Sequence, residues 1–96
     1  MDVKIHSIHF TADQKLIDYI NDKVSKLALF FDHIIAGEVF LRLDKNSEKE
    51  NKITEIKILI PGKELFAKKQ CKSFEEAADL VVEALRKQVV KHKEKV

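Results

Sequence analysis

The groups in this chain best suited to chemistry are cations. From Arg86 to Val96 the sequence holds Arg86, Lys87, Lys91, Lys93 and Lys95 against one carboxylate, Glu94. A second basic cluster comprises Lys63, Lys68, Lys69 and Lys72. Clustered cations hold phosphates: they neutralise a polyanion and release its counterions, giving affinity that falls steeply with salt. The chain as a whole is near neutral, with 18 Lys+Arg against 16 Asp+Glu and a net charge of +2. The excess is therefore local. Residues 1–48 carry 6 basic and 8 acidic side chains, net −2; residues 49–96 carry 12 and 8, net +4. A local positive excess points to a polyanion-facing surface. The plainer alternative is a solvated helix end.

Groups for bond-making chemistry are sparse. His6 and His9 are three apart on a predicted strand, so they face opposite ways and make a poor metal pair. Cys71 is the lone cysteine, which allows neither an internal disulfide nor a zinc cluster, and it has no base beside it in sequence. Asp32-His33 falls at a helix end, where a histidine more often satisfies carbonyls. Gly37 and Gly62 are the two glycines, too few for a phosphate-cradling loop. The expectation is no catalytic residue, no metal, no cofactor and no small-molecule substrate.

These cations need a scaffold, and 96 residues supply one domain, 1–96. No run of 18 apolar residues is present, and the start lacks a signal-peptide pattern, so a cytoplasmic protein without membrane contact is expected. Val3 to Ile8 alternates as a first strand. Thr11-Ala12-Asp13-Gln14 reads as a capping box opening a helix from about Ala12 to about Phe30. Leu16, Ile17, Ile20, Val24, Leu27, Ala28 and Phe31 form its apolar stripe. Strands are predicted over Glu38 to Asp44, Ile53 to Ile60 and Glu64 to Lys72, with a turn at Pro61-Gly62-Lys63. Ser73 to Glu76 is a second capping box. Phe74, Ala77, Ala78, Val81, Leu85 and Gln88 mark the inner stripe of the helix that follows. Lys69 falls at an inward strand position where a small residue is expected; a bulge or an edge location would explain it. The predicted fold is α+β, β-α-β-β-β-α: a four-stranded mixed sheet with two helices packed on one face. The other face, with Phe40, Arg42, Lys57, Leu59, Phe66 and Lys68, is mixed enough to be wet.

At about 100° per residue, Lys15 and Lys26 lie opposite the first helix's stripe and Lys23 at its border. The second helix is acidic first, through Glu75, Glu76, Asp79 and Glu83, and basic from Arg86 onward. The helix dipole favours that gradient, but one or two cations in the last turn satisfy it. Five in eleven residues exceed that need.

Lys23-Val24-Ser25-Lys26-Leu27, followed by Phe31-Asp32-His33-Ile34, resembles the K-x-x-K-L…F-D-x-I stretch of the ribosome hibernation promoting factors. Leu85-Arg86-Lys87-Gln88-Val89-Val90-Lys91-His92-Lys93-Glu94-Lys95 is similar to that family's L-x-R-Q-L-x-K-H-K-x-K tail, and the Ser73-to-Ala77 segment resembles its approach to the second helix. Members usually carry Asp-Met-Tyr where this chain has Ser73-Phe74-Glu75. The resemblance spans essentially the whole chain. It implies a protein that binds the small ribosomal subunit and its rRNA in the head-body cleft, overlaps the tRNA and mRNA positions, and stops translation in starved or stationary cells. The rRNA contacts it implies are Lys23 and Lys26 on the first helix, and Arg86, Lys87, Lys91, Lys93 and His92 on the second. These would be phosphate contacts, with shape rather than base sequence selecting the site. The resemblance further implies the short type, without the long C-terminal domain that pairs ribosomes in some relatives, and a monomer when free.

Two other readings differ in class. A double-stranded-RNA module shares α-β-β-β-α, but such modules place lysines at the start of the last helix, where this chain has Glu75 and Glu76. A protein-interaction module would use Phe40, Leu59 and Phe66 on the open sheet face. The ribosomal reading makes its own structural demand. The Lys23/Lys26 surface and the Arg86-to-Lys93 surface must lie side by side.

Overall fold

A computed structural model of the chain describes residues 1–94; Lys95, the last cation of the basic run, lies outside the described residues. The elements are β1 (Asp2–Ser7), α1 (Gln14–Ser25), a 3-10 turn (Lys26–Leu29), β2 (Ala36–Leu43), β3 (Lys52–Ile60), β4 (Lys63–Cys71) and α2 (Phe74–Glu94). The order is the α+β order expected. The sheet runs β1-β2-β3-β4, with β1 parallel to β2 and the rest an antiparallel meander.

Alternation places one set of residues under the helices. Val39 and Leu41 of β2, Ile56, Ile58 and Ile60 of β3, and Leu65 and Ala67 of β4 are buried there. Ile20, Val24 and Leu27 meet them from the first helical segment, and Phe74, Ala78, Val81, Leu85 and Val89 from α2. Both helices therefore cover the same face. Each fully buried aliphatic side chain contributes about 1.5–3 kcal/mol. Gly37 lets α1 approach β2 closely: a Cβ there would stand 3.3 Å from Ile58 Cδ1 and 3.4 Å from Val24 Cγ1. Gly62, at φ 73°, takes the left-handed position of the turn behind Pro61, joining Ile60 to Lys63.

Several expectations change in detail. The cap of α1 is Asp13, not Thr11: its Oδ1 accepts from the Leu16 backbone N–H at 2.8 Å. Both residues carry an acceptor oxygen, and the extended backbone of Asp13 (φ −75°, ψ 163°) decides between them. The α-helix ends at Ser25 and tightens into the 3-10 turn. At about 120° per residue there, the 100° projection drifts. Leu27 stays buried while Ala28 is exposed. Ser73 caps α2 as expected, accepting from the Glu76 N–H at 3.1 Å. Val89 takes the inner position after Leu85, while Gln88 lies on the flank and donates to the Phe66 carbonyl at 2.9 Å. Lys69 faces the helix side but is exposed. The β3–β4 register is continuous through it, so its place on the edge strand explains it, not a bulge.

Candidate nucleic-acid interface

α1 and α2 run in the same direction, as successive contacts show. Tyr19 Oη donates to both carboxylate oxygens of Asp79, at 2.8 and 3.0 Å, and Lys23 Nζ stands 3.4 Å from the same carboxylate. That hydrogen bond holds the Tyr19 hydroxyl's pKa above its ordinary value, so it stays a donor. Further along, the Arg86 guanidinium lies 5.7 Å from the Phe30 ring centroid, and Lys93 Nζ donates to the Phe30 carbonyl at 3.2 Å. Both helices thus end together. Two negative dipole ends and the cations Lys26, Arg86 and Lys93 share one region.

The seven expected contacts divide into groups. Lys23 is bound to Asp79, and Lys26 to Asp22 at 3.2 Å. Arg86 Nε donates to Glu83 at 3.0 Å, which raises the guanidinium's pKa and holds the Glu83 carboxyl below its ordinary range. Lys87 and Lys91 are exposed and form no ion pair among the described residues. Lys93 is held on a carbonyl, and His92 meets Phe31 edge-on at 5.8 Å. The two clusters lie on neighbouring helices, as a clamp requires. They do not form one flat face. Arg86 and Lys93 turn toward the first helix, while Lys91 lies on the flank toward β4.

On that flank Lys91 meets a residue missing from the expected set. Lys63, Glu64, Leu65, Gln88, Lys91 and His92 line a depression of about 230 Å³, in which two lysines outnumber one carboxylate. The available signal was the Pro61-Gly62 turn, because α2 returns antiparallel to β4 and brings its last turns to the hairpin tip.

The open sheet face differs. Lys4 and Lys57 flank Glu38 across the strands, and Lys68 lies opposite Glu55. Arg42 pairs with Glu55 at 3.1 Å and His6 with Glu38 at 2.9 Å. Four cations, Lys4, Arg42, Lys57 and Lys68, thus stand among four carboxylates, Asp2, Glu38, Glu55 and Glu64. Burial raises the pKa of the Cys71 thiol, which keeps it protonated and unreactive. Among the described residues no cluster of His, Cys, Asp and Glu could hold a metal, and no helix is long and apolar enough to cross a membrane.

The family model described as Sigma 54 modulation protein / S30EA ribosomal protein matches residues 3–96. The chain belongs to this family. A ribosome hibernation promoting factor of Pseudomonas putida is 32% identical over 95 residues, covering 99% of this chain and 89% of the relative. One from Azotobacter vinelandii is 30% identical over 95 residues, 99% of this chain and 85% of its own. Among solved structures, a ribosomal subunit interface protein from Coxiella burnetii shares the fold with a TM-score of 0.87 and 18% identity, over 98% of this chain and 99% of that one. The Protein Y N-terminal domain of Thermus thermophilus does so at 0.83 and 22%, over 96% and 99%.

Proposed function

We propose that this protein is a ribosome hibernation factor that binds the small ribosomal subunit in the cleft between head and body. There it overlaps the tRNA and mRNA positions and stops translation. The observation that carries this reading is the joint C-terminal end of the two helices. Lys87 and Lys91 stand there without carboxylate partners among the described residues, beside Lys63, Lys93 and Arg86. Family membership and the names of the relatives supply the ribosome as the polyanion.

The contacts are to phosphate. Ammonium groups on mobile stems neutralise backbone charge and carry no base code. The site is therefore chosen by the shape of folded rRNA, with helix ends and hairpin tip fitted against it. Lys23, Lys26 and Arg86 exchange their carboxylate partners for phosphates on docking. Each exchange replaces one surface ion pair with another and adds little net energy, so most of the affinity comes from Lys63, Lys87, Lys91 and Lys93.

Hydroxyl-radical footprinting of purified small subunits tests the location. Protections are expected on rRNA lining the head-body cleft, and initiator tRNA with mRNA should compete for binding. Protections confined to another surface, or binding indifferent to tRNA and mRNA, would overturn this reading.

A further inference from the structure

We infer that a cleft between the end of the first helical segment and the end of α2 is a stacking site for one unpaired RNA base. The inference rests on the ribosomal reading above and goes beyond it, because phosphate contacts alone need no aromatic group. The cleft measures about 590 Å³ and is lined by Phe31, His33, Pro61, His92 and Lys93. Its size lies within the roughly 300–1,000 Å³ range of small-ligand clefts.

The lining has the composition of a stacking platform. Phe31 is the hub, with His33 edge-on at 5.3 Å (70° between planes) and His92 edge-on at 5.8 Å (83°). In an edge-to-face pair the ring that offers its edge keeps both of its own faces uncovered by its partner, and a nucleobase stacks on such a face whatever its sequence. Pro61 adds an apolar wall from the hairpin tip.

Charge selects a nucleotide over an apolar peptide side chain. Lys93 belongs to the lining, and no carboxylate does. Lys91 adjoins through the depression it shares with His92. Three acids stand nearby: Asp32 pairs with His33 at 3.6 Å and is largely exposed, Glu64 lines the depression beside Lys91, and Glu94 follows Lys93, so none of them lines the cleft itself. A phosphate on Lys91 or Lys93 would carry its own base to this cleft, so one nucleotide can engage both.

The test uses the full chain and an oligouridine strand carrying one central 2-aminopurine, beside the same strand with an abasic residue there. Wild type is expected to quench the 2-aminopurine and to bind that strand about tenfold more tightly than the abasic one. Phe31→Leu keeps an apolar side chain of similar bulk. His33→Ala changes only a rim group outside the expected phosphate contacts, so it serves even where Phe31→Leu melts early. Both variants are expected to lose the quench and the tenfold preference while keeping the salt slope, because no phosphate contact is removed. Equal wild-type affinity for the two strands without quenching overturns the inference. So does weaker subunit binding by the variants with no effect of the base, which would assign the cleft to a protein partner. Wild-type binding to small subunits is followed in parallel. Its presence without a base preference sinks the stacking site alone, and its absence at low salt sinks the ribosomal reading.

Discussion

At the joint end of the helices, Lys87 and Lys91 meet solvent without a carboxylate in ion-pair reach among the described residues; on the open sheet face every cation has a carboxylate on a neighbouring strand or paired to it. The two regions use similar residue types. Both even place a cation over a phenylalanine: Arg86 over Phe30 at 5.7 Å and Lys57 over Phe40 at 5.4 Å. They differ in local bookkeeping of charge. Four positive groups against four negative ones produce no far field on the sheet, whereas the run from Arg86 to Lys93 contains no acid. A lysine count therefore says little about polyanion binding until the partners of each lysine are known.

The largest expected effect breaks both regions together. Leu85 is fully buried within the basic half of α2. Leu85→Ala should cost about 2–5 kcal/mol in urea denaturation, through lost burial and the cavity left behind. A cost below about 1 kcal/mol would mean that the basic half of α2 is not anchored as described. Next in size is the cap at the opposite end of α1. Asp13→Ala should lower stability by about 1 kcal/mol while leaving RNA affinity unchanged, and Thr11→Ala should be near neutral. Equal effects would restore Thr11 as the cap.

Freeing the sheet's cations should make the two regions more alike. Glu38→Gln/Glu55→Gln removes the partners of His6 and Arg42 and the cross-strand neighbours of Lys4, Lys57 and Lys68. The variant should gain weak, salt-sensitive RNA binding, roughly a few-fold at low salt, measured by fluorescence anisotropy. No gain would show that something other than charge balance silences this face. The smallest effect concerns Glu83, whose carboxyl Arg86 holds below its ordinary range. A lowered folded-state value makes its stabilisation present above the ordinary carboxylate range and lost as pH falls through the lowered value. Glu83→Gln should therefore lower the melting temperature slightly at neutral pH and leave it unchanged at the acid end, which flattens the acid limb.

Strand parity, the Pro61-Gly62 turn, the Ser73 cap and the element order were legible because each depends on a few neighbouring residues. Where expectation and structure part, a longer-range fact decides. The 3-10 turn after Ser25 shifts Ala28 outward, and no propensity in Lys26-Leu27-Ala28-Leu29 marks the change of period. Lys69 is explained by β4 being the edge strand, which is a property of the sheet. The interface was legible as a set of cations, but not in its pairing. Asp79 is sixty residues from Tyr19, and Lys63 reaches Lys91 only when α2 returns along β4. The aromatic cleft was invisible for the same reason, since Phe31 and His92 meet across the two helices.

In the function proposed above, the helix end, and not the sheet, meets rRNA phosphates. Co-sedimentation with purified small subunits across a salt series tests it most directly, comparing wild type with Lys87→Glu/Lys91→Glu and with Lys57→Glu/Lys68→Glu. For about six phosphate contacts, wild-type affinity should fall roughly a thousandfold between about 50 and 200 mM salt. The helix-end reversal should lose at least about tenfold at low salt and show a shallower slope, while the sheet reversal stays within about threefold. A sheet reversal as damaging as the helix-end reversal, or a helix-end reversal that binds like wild type, would contradict the account.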